Sequence, residues 1–283
     1  MAALAVVLLI SPAAVQATSA ATFNRGLLIS PLREYVNIAA GQSLTRAVTI
    51  ANLTEKPMDV SLSVAQFSVA DYTYRYRFAP TQHDWVHLSQ STLQLQPGKN
   101  ARVPYQIAIP AGTAPGGHYF TIFANTRLQS GNVTSNVQAA TVLYTTIQGN
   151  LVESSSVVRS HLPWLSFGKA LPFTLDVKDT GNTHFFVYAS GQLHGLSAQP
   201  SPTEATHLLL PGAIRTIGGS IAPPLLPGIY KATYGYRTEN NQTVTRSHYI
   251  FFVPPWSLTI PIGLGWIGLV IWRRRPAHRS IRS

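Results

Sequence analysis

One pattern of turns occurs twice in the chain, and it constrains the fold more than any other feature. In the first copy, Pro97-Gly98 is followed 18 positions later by Pro115-Gly116. In the second copy, Pro211-Gly212 is followed 16 positions later by Pro227-Gly228. Apolar runs with the alternation of β-strands lie between these turns. Strands separated by turns every ~8 to 12 residues are typical of β-sandwiches. The repeat therefore predicts an all-β chain of two tandem immunoglobulin-like β-sandwich domains.

The glycines after Pro115 also raise the alternative of a phosphate-binding loop. Such a loop needs a helix after it, so that the helix N-terminus faces the anion. Here the next residues, Tyr119 to Phe123, are aromatic and β-branched strand formers, so the phosphate loop is excluded. A Pro-Gly turn followed by a tyrosine resembles instead the tyrosine corner of sandwich domains. The predicted structural corners are Pro115, Gly116, Gly117 and Tyr119 in the first domain and Pro227, Gly228 and Tyr230 in the second.

The composition agrees with this fold and narrows the chemistry. The 283 residues include 20 Gly and 20 Pro, and only 11% are charged. The chain has no Cys, which excludes a disulfide, a thiolate metal site and a cysteine nucleophile. A pI near 10.1 is compatible with nucleic-acid binding, but no motif of a nucleic-acid-binding domain accompanies it. We therefore expect no nucleic-acid partner.

Both ends of the chain carry apolar segments that predict export and membrane anchoring. Residues 1–21 have the apolar run and small-residue cleavage sites of a signal peptide. Residues 254–272 include a charge-free run that stops at Arg273, Arg274 and Arg275. These arginines predict a cytoplasmic C-terminus by the positive-inside rule, so the sequence predicts a single-pass protein of the cell membrane. The alternative is a buried C-terminal element with a solvated tail.

These features divide the chain into five predicted segments. They are a signal peptide (1–21), a first sandwich (22–154), a second sandwich (155–253), a transmembrane helix (254–272) and a basic cytoplasmic tail (273–283). The bulk of the chain would then be extracytoplasmic.

Few residues have the arrangement that catalysis requires. The chain has ten acidic residues and no nucleophile elbow or metalloprotease motif. His83 and His87 are spaced so that they could share a face, but no third ligand can be named. We therefore expect a protein that is not an enzyme and that holds no metal or cofactor.

The run Asp71–Phe78 is the best candidate for a binding site. On a strand, Tyr72, Tyr74 and Tyr76 would lie on one face, with Arg75 and Arg77 on the other. One interpretation is an aromatic stripe that stacks on sugar rings, beside two arginines for acidic groups. The other is a row of core aromatics with solvated arginines behind it. The candidate ligand-binding residues are Tyr72, Tyr74, Arg75, Tyr76, Arg77 and Trp85.

Several segments together resemble the bacterial WxL-interacting proteins. They are "ISPLREYVNIAAGQSLTRAVTIANLTEKPMDVSLSVAQFSV", "LQPGKNARVPYQIAIPAGTAPGGHYFTIFA", "DTGNTHF" and "LLPGIYKATYGY", followed by an apolar run and a basic tail. The resemblance covers about residues 29 to 275. It implies two immunoglobulin-like domains on a bacterial surface, the first binding peptidoglycan and the second a partner protein.

Three hypotheses follow for the function. The first is a membrane-anchored binding or scaffold protein attached to cell-wall polymer, to a surface protein, or to both. The alternative is a chaperone-like assembly factor in which an exposed sandwich edge accepts a strand from a client. The third, a wall-modifying enzyme, needs a polar cleft that the sequence does not indicate.

Overall fold

The computed structural model describes residues 26–130, 133–168, 170–195 and 204–258, together with residues 266, 269 and 270. Its strands form two β-sandwiches. Ten strands build the first: β1 (Leu27–Ser30), β2 (Arg33–Ile38), β3 (Ser43–Asn52), β4 (Met58–Val69), β5 (Tyr76–Ala79), β6 (Val86–Leu88), β7 (Thr92–Leu95), β8 (Asn100–Ala108), β9 (Gly116–Ser130) and β10 (Val133–Ile147). Eight build the second: β11 (Ser155–His161), β12 (Leu165–Ser166), β13 (Leu171–Asp179), β14 (Phe185–His194), β15 (Ala205–Leu209), β16 (Ile214–Ile221), β17 (Gly228–Thr238) and β18 (Thr243–Phe252). The prediction of an all-β chain with two sandwich domains is confirmed.

The first sandwich is closed on one side by a chain segment that changes sheets. Its smaller sheet has the order β1-β3-β8-β6, and its larger sheet has the order β2-β10-β9-β4-β5, with β7 paired to β4. β1 pairs antiparallel with β3, and after Pro31 the chain crosses to the other sheet, where β2 pairs parallel with β10. Each of these two strands covers only part of its neighbour's edge.

Alternating burial along the strands explains why these residues form the first core. In β3 the side chains of Val48 and Ile50 are fully buried while their sequence neighbours are partly exposed. In β8 the same alternation buries Val103, Tyr105 and Ile107. Successive side chains of a strand point to opposite faces, so such a pattern places one row between the sheets. The aliphatic rows of the two sheets meet there and exclude water.

The second sandwich has the sheet orders β11-β13-β16 and β12-β18-β17-β14-β15. Its core includes Phe173, Val187 and Tyr236, each almost fully buried. Tyr230 is also buried, and its hydroxyl donates a hydrogen bond of 2.9 Å to the backbone carbonyl of Leu226. This bond has the pattern of a tyrosine corner, in which the phenol returns to backbone a few residues upstream.

The predicted boundaries 22–154 and 155–253 stay predictions, with β10 ending at Ile147 and β11 beginning at Ser155. Between them, Asn182 of the second domain ties the linker to the first. Its side-chain amide accepts from Val152 N at 2.8 Å and donates to the carbonyls of Pro115 and Asn150. Because one side chain holds both the linker and the corner, the two domains meet at a defined point.

The predicted membrane topology needs correction. No helix in the described ranges is long and apolar enough to cross a bilayer. The chain leaves β18 into Pro254 and a short 3₁₀ helix, Pro255–Leu258. Most of the predicted span 254–272, the arginines Arg273, Arg274 and Arg275, and the predicted signal peptide lie outside the described residues. On this finding the transmembrane helix, and the single-pass localisation that followed from it, are withdrawn.

Candidate functional site

The N-terminal half of strand β10 has an open edge. On one side β10 pairs with β9 over its full length, from Val133 to Ile147. On its other side β2 pairs only with Val142 to Ile147. Residues 133–141 therefore have no hydrogen-bonded strand on that side among the described residues, although β1, which pairs with β3, passes close to β10. At ~3.3 Å per residue, these nine residues form an edge of about 30 Å.

The alternation of hydrogen bonds shows which backbone groups face this edge. The N–H of Val142 donates to the carbonyl of Leu32, away from β9. In an antiparallel pair every second residue directs its N–H and C=O to the same side. The outward groups are therefore those of Thr134, Asn136, Gln138 and Ala140. Asn136 and Gln138 are exposed to solvent, so their backbone groups are accessible to another chain.

The side chains of this half-edge do not protect it. The sequence from Val133 to Thr141, VTSNVQAAT, contains no charged residue and no proline. Natural sheets usually protect edges with charges, prolines, bulges or short strands. The edges at β5 and β11 follow that rule. Arg77 and Pro80 lie at the β5 edge, and β11 carries Arg159 at a register shift.

The corresponding half-edge of β3, by contrast, is protected by charged side chains. β1 pairs with β3 only from Thr49 to Asn52, so within the described part of the chain Ser43–Val48 have no paired strand on that side. Here Glu34 of β2 reaches across the gap. Its carboxylate lies 3.3 Å from Arg46 Nε and accepts a 2.5 Å hydrogen bond from the Tyr105 hydroxyl. Charged side chains at an edge oppose strand addition, so β10 provides the better acceptor.

A groove lies on the other side of the same hairpin. Beyond Asn125, β4 no longer pairs with β9, and Met58 to Ser61 pair with β7 on the opposite side of β4. The gap is a groove of about 1340 Å³ lined mostly by polar residues, including Asp59, Gln94 and Asn136. The β9–β10 hairpin therefore projects with accessible surface on both sides.

The open edge ends at an aromatic and cationic corner. Arg33, the first residue of β2, is exposed and lies opposite Val142. Tyr35 stacks on Tyr144 with ring centroids 5.0 Å apart, and the Tyr144 hydroxyl lies 2.9 Å from that of Tyr76. Burial, followed by the hydrogen bond to Tyr76, raises the pKa of Tyr144. Tyr144 therefore stays neutral at physiological pH and joins β2 to β5 across the sheet.

The second domain forms the other wall of this corner. Its His184 lies among three tyrosines of the first domain, with ring centroids 5.4 Å from Tyr144, 5.6 Å from Tyr119 and 5.8 Å from Tyr35. The Tyr119 hydroxyl lies 3.4 Å from His184 Nδ1. Burial lowers the pKa of His184 to about 4. The imidazole is therefore neutral at pH 7 and packs as an aromatic ring.

The predicted aromatic stripe is split in the structure. Tyr76 and Phe78 lie in β5 and are partly exposed on the outer face of the larger sheet. Tyr72 and Tyr74 precede the strand and contact the second domain. Trp85 is buried in the first core. The six candidate residues therefore do not form one surface, and a ligand role for Tyr76 with exposed Arg75 and Arg77 stays a prediction.

The predicted corner at Pro115 to Tyr119 is a joint between domains. The N–H of Gly117 donates to the carbonyl of Asn182 at 2.8 Å. A Cβ built on Gly116 would lie 2.8 Å from that same carbonyl oxygen. The glycines thus permit a close approach of the two backbones, and no helix follows them. The sequence indicated the turn but not its contact with the second domain.

The described residues contain no group of three or more His, Cys, Asp or Glu side chains placed to hold a metal. His83 instead stacks on Trp85 at 4.5 Å, and His87 lies 3.6 Å from Asp84. The absence of a metal, a cofactor and an enzymatic activity stays a prediction.

Sequence reasoning missed the open edge itself. The uncharged run 133–141 was a signal in the sequence, but its meaning depends on where β2 begins to pair with β10. It also missed Asn182 and His184, although both lie in the quoted run "DTGNTHF".

Comparisons with known proteins give structural neighbours but no family. No protein-family model matches the chain, and no curated protein matches it. It is similar to the class 5 fimbriae chaperone CfaA, with 9% identity, coverage of 81% of this chain and 100% of that chain, and a TM-score of 0.43. It is also similar to the CsuC–CsuE chaperone–adhesion subunit complex of Acinetobacter baumannii, with 12% identity, coverage of 68% of this chain and 89% of that chain, and a TM-score of 0.38. The E. coli chaperone DraB has 13% identity, coverage of 80% of this chain and 95% of that chain, and a TM-score of 0.36.

These comparisons contradict the resemblance to WxL-interacting proteins, which is wrong. The segments that carried it are Pro-Gly turns and alternating strands, and many sandwich domains share such features. The peptidoglycan-binding role that the resemblance implied is withdrawn with it. The similarities that the comparisons give are to chaperones, among them a fimbriae chaperone and a periplasmic chaperone.

Proposed function

We propose that this protein is a chaperone-like assembly factor that accepts an extended strand of a client protein at the open edge of β10. One observation carries the proposal: residues 133–141 form a nine-residue edge with outward backbone groups and no protecting charge or proline. An unprotected edge of this length is a hazard in a protein that does not use it. In strand addition the same backbone groups supply the affinity.

The partner that fits this edge is a protein. The backbone groups of Thr134, Asn136, Gln138 and Ala140 match the spacing of another β-strand. The client strand is limited in length because Leu32 and Arg33 occupy the edge from Val142 onward. Exposed Arg33 places a positive charge where the strand ends, which favours an acidic group of the client at that end.

The client's side chains meet two different environments. Strand addition extends the larger sheet, so alternate client side chains continue its inner and outer faces. On the inner face the neighbours are Val137 and Ala139, which are small and partly buried. On the outer face they are the polar Asn136 and Gln138. We therefore expect a client strand with apolar residues at every second position.

Hydrogen exchange with a designed peptide tests the proposal. The probe is the nonapeptide TVTVTVTVT, with a proline at its centre in the control peptide. Alone, the protein should exchange the amides of Asn136 and Gln138 quickly, because no strand covers them. Addition of the probe should slow these amides, and the proline peptide should not. Slow exchange in the free protein, or no protection by the probe, would contradict the proposal.

A charge at the edge gives an independent variant test. Gln138→Lys places a cation on the open edge and should abolish protection by the probe. Gln129→Lys is the matched control, because Gln129 lies on β9 of the same hairpin. If both lysine variants reduce protection by the probe to the same extent, the effect comes from overall charge and the edge is not the binding site.

A further inference from the structure

The segment Asp71–Tyr74 connects the two domains by hydrogen bonds to Ile214. Tyr72 N donates to the carbonyl of Ile214 at 2.6 Å. Ile214 N donates in return to Asp71 Oδ1 at 2.8 Å. Tyr72 also forms a parallel β-bridge with Arg215 of β16. The first domain thus forms a single β-bridge with an edge strand of the second.

The backbone of this segment is strained. Tyr72 has φ 62° and Tyr74 has φ 56°, in the left-handed region that disfavours residues with a Cβ. Such a conformation costs conformational energy and persists only where its surroundings impose it. Two of them in three positions need a compensating contact, and the second domain provides it.

Arg215 supplies the main side-chain contact. Its guanidinium lies 4.1 Å from the centre of the Tyr74 ring, within the range of a cation–π interaction. The same guanidinium donates to the carbonyl of Leu208, which fixes its orientation. Arg159 approaches the Tyr72 ring at 5.9 Å. Both tyrosines of the segment are therefore held by arginines of the other domain.

A buried apolar cluster continues this contact. It joins Phe67 and Tyr144 of the first domain to Leu208 and Leu210 of the second, and Tyr74 packs against it. Burial of apolar side chains from both domains favours one relative orientation. Tyr144 belongs to β10, so the cluster connects the open-edge strand directly to the second domain.

We propose that Asp71–Tyr74 is a latch that fixes the second domain relative to the open edge of β10, with Arg215 as the positioning residue that holds it. The role of the latch in presenting a client site rests on the proposed function, whereas its effect on domain orientation does not. A fixed second domain provides a preformed wall at the Val142 end of the open edge, where Val142 packs against the cluster, and a client then loses less conformational entropy on binding.

Distances between spin labels in the full chain test the latch. The chain has no Cys, so Lys99→Cys and Thr245→Cys place one label in each domain at exposed positions. Double electron–electron resonance should give one narrow distance distribution. Arg215→Ala should broaden it, and Arg215→Lys should broaden it less, since lysine keeps the charge but loses the planar stack. A distribution unchanged by Arg215→Ala would overturn the latch.

Arg237→Ala is the matched control. The Arg237 guanidinium stacks at 4.8 Å on Tyr188 within the second domain and should leave the distribution narrow. Equal broadening by both variants would mean that the second domain itself has loosened, which also contradicts the latch. If Arg215→Ala does not fold, the distance distribution of Arg215→Lys is compared with that of the parent, and an unchanged distribution would contradict the latch.

Protection by the strand probe is then measured in the same variants. A broadened distribution with weaker protection supports the latch as a positioning device for the client site. A broadened distribution with no protection even in the parent leaves the latch in place and contradicts the proposed function instead.

Discussion

The ring of Tyr119 lies directly against Gly117, two residues earlier in the chain. A Cβ built on Gly117 would be 2.2 Å from the Tyr119 hydroxyl oxygen and 2.8 Å from the ring carbon that carries it. The Tyr119 side chain cannot move away without leaving His184 and Phe67. The glycine is therefore required by packing at the joint between the domains.

Gly117→Ala should destabilise the protein by about 1 to 3 kcal/mol, the usual cost of an added methyl group in a packed site. Urea unfolding measures the change. Gly26→Ala is the control, because a Cβ at Gly26 meets no atom within 4 Å. Equal stability of the parent and Gly117→Ala would show that Tyr119 can rotate freely, contrary to the packing described.

Two buried threonines of β10 should respond oppositely to valine. Thr141 and Thr145 are both fully buried. Thr141 Oγ1 donates to the Pro31 carbonyl at 2.7 Å, whereas Thr145 Oγ1 has no hydrogen-bond partner within the described residues. Loss of a buried hydrogen bond lowers the free energy of unfolding by ~1 kcal/mol, whereas removal of an unpaired buried hydroxyl stabilises the folded protein.

We therefore expect Thr141→Val to lower the unfolding midpoint and Thr145→Val to leave it equal or raise it. The two substitutions are matched in strand, burial and chemistry, so the change in β-propensity from Thr to Val is the same in both variants. Equal losses in both variants would indicate that the Thr145 hydroxyl has a partner, such as an ordered water.

The sequence was sufficient to predict the two sandwiches because their signals are local. Pro211-Gly212 and Pro227-Gly228 mark turns through backbone chemistry, and the alternation in β3 identifies its buried face. The open edge is different. It exists because β2 pairs with β10 only from Val142 onward, and that register is set by contacts more than a hundred residues apart in sequence.

The tyrosine stripe shows the other limit of sequence reasoning. The prediction placed the aromatic residues from Tyr72 to Phe78 at every second position of one continuous strand, but β5 begins only at Tyr76. The positive φ angles of Tyr72 and Tyr74 turn the chain toward the second domain. No sequence signal marks such a conformation at tyrosine, because tertiary contacts impose it.

Asp179 should make the protein less stable as the pH rises. Burial raises the pKa of this carboxyl to about 7, although the N–H of Gly181 lowers it through a hydrogen bond to Oδ1. A folded-state pKa above the unfolded value means that the folded protein binds the proton more tightly. Its stabilising effect is complete near pH 4 and is lost as the pH rises through about 7.

Asp179→Asn should remove this loss, because the amide keeps an acceptor for Gly181 N and carries no charge. We expect the variant to match the parent near pH 4 and to exceed it in unfolding midpoint at pH 8. Asp176→Asn gives the contrast. Buried Asp176 is paired with Arg159 at 2.7 Å and Thr216 at 2.6 Å, so its neutralisation should destabilise at pH 8. A parent and an Asp179→Asn variant with parallel pH profiles would refute the prediction.

His184 should give the opposite pH dependence. Burial lowers its pKa to about 4 in the folded protein, below the value of about 6.5 for a free histidine. The unfolded chain then binds a proton that the folded chain does not. Stability is complete above pH 6.5 and is lost as the pH falls toward 4, by on the order of 2 to 3 kcal/mol.

His184→Phe keeps an aromatic ring among Tyr35, Tyr119 and Tyr144 and removes the titrating group. Thermal unfolding from pH 7 to pH 4 should therefore show a smaller loss in the variant than in the parent. Exposed His161→Phe is the control and should leave the profile unchanged. Because His184 lies between the domains, we expect the acid-induced loss to appear first as separation of the domains, visible as broader spin-label distances at pH 4.5. If those distances stay narrow while stability falls, protonation acts within the second domain and not at the joint.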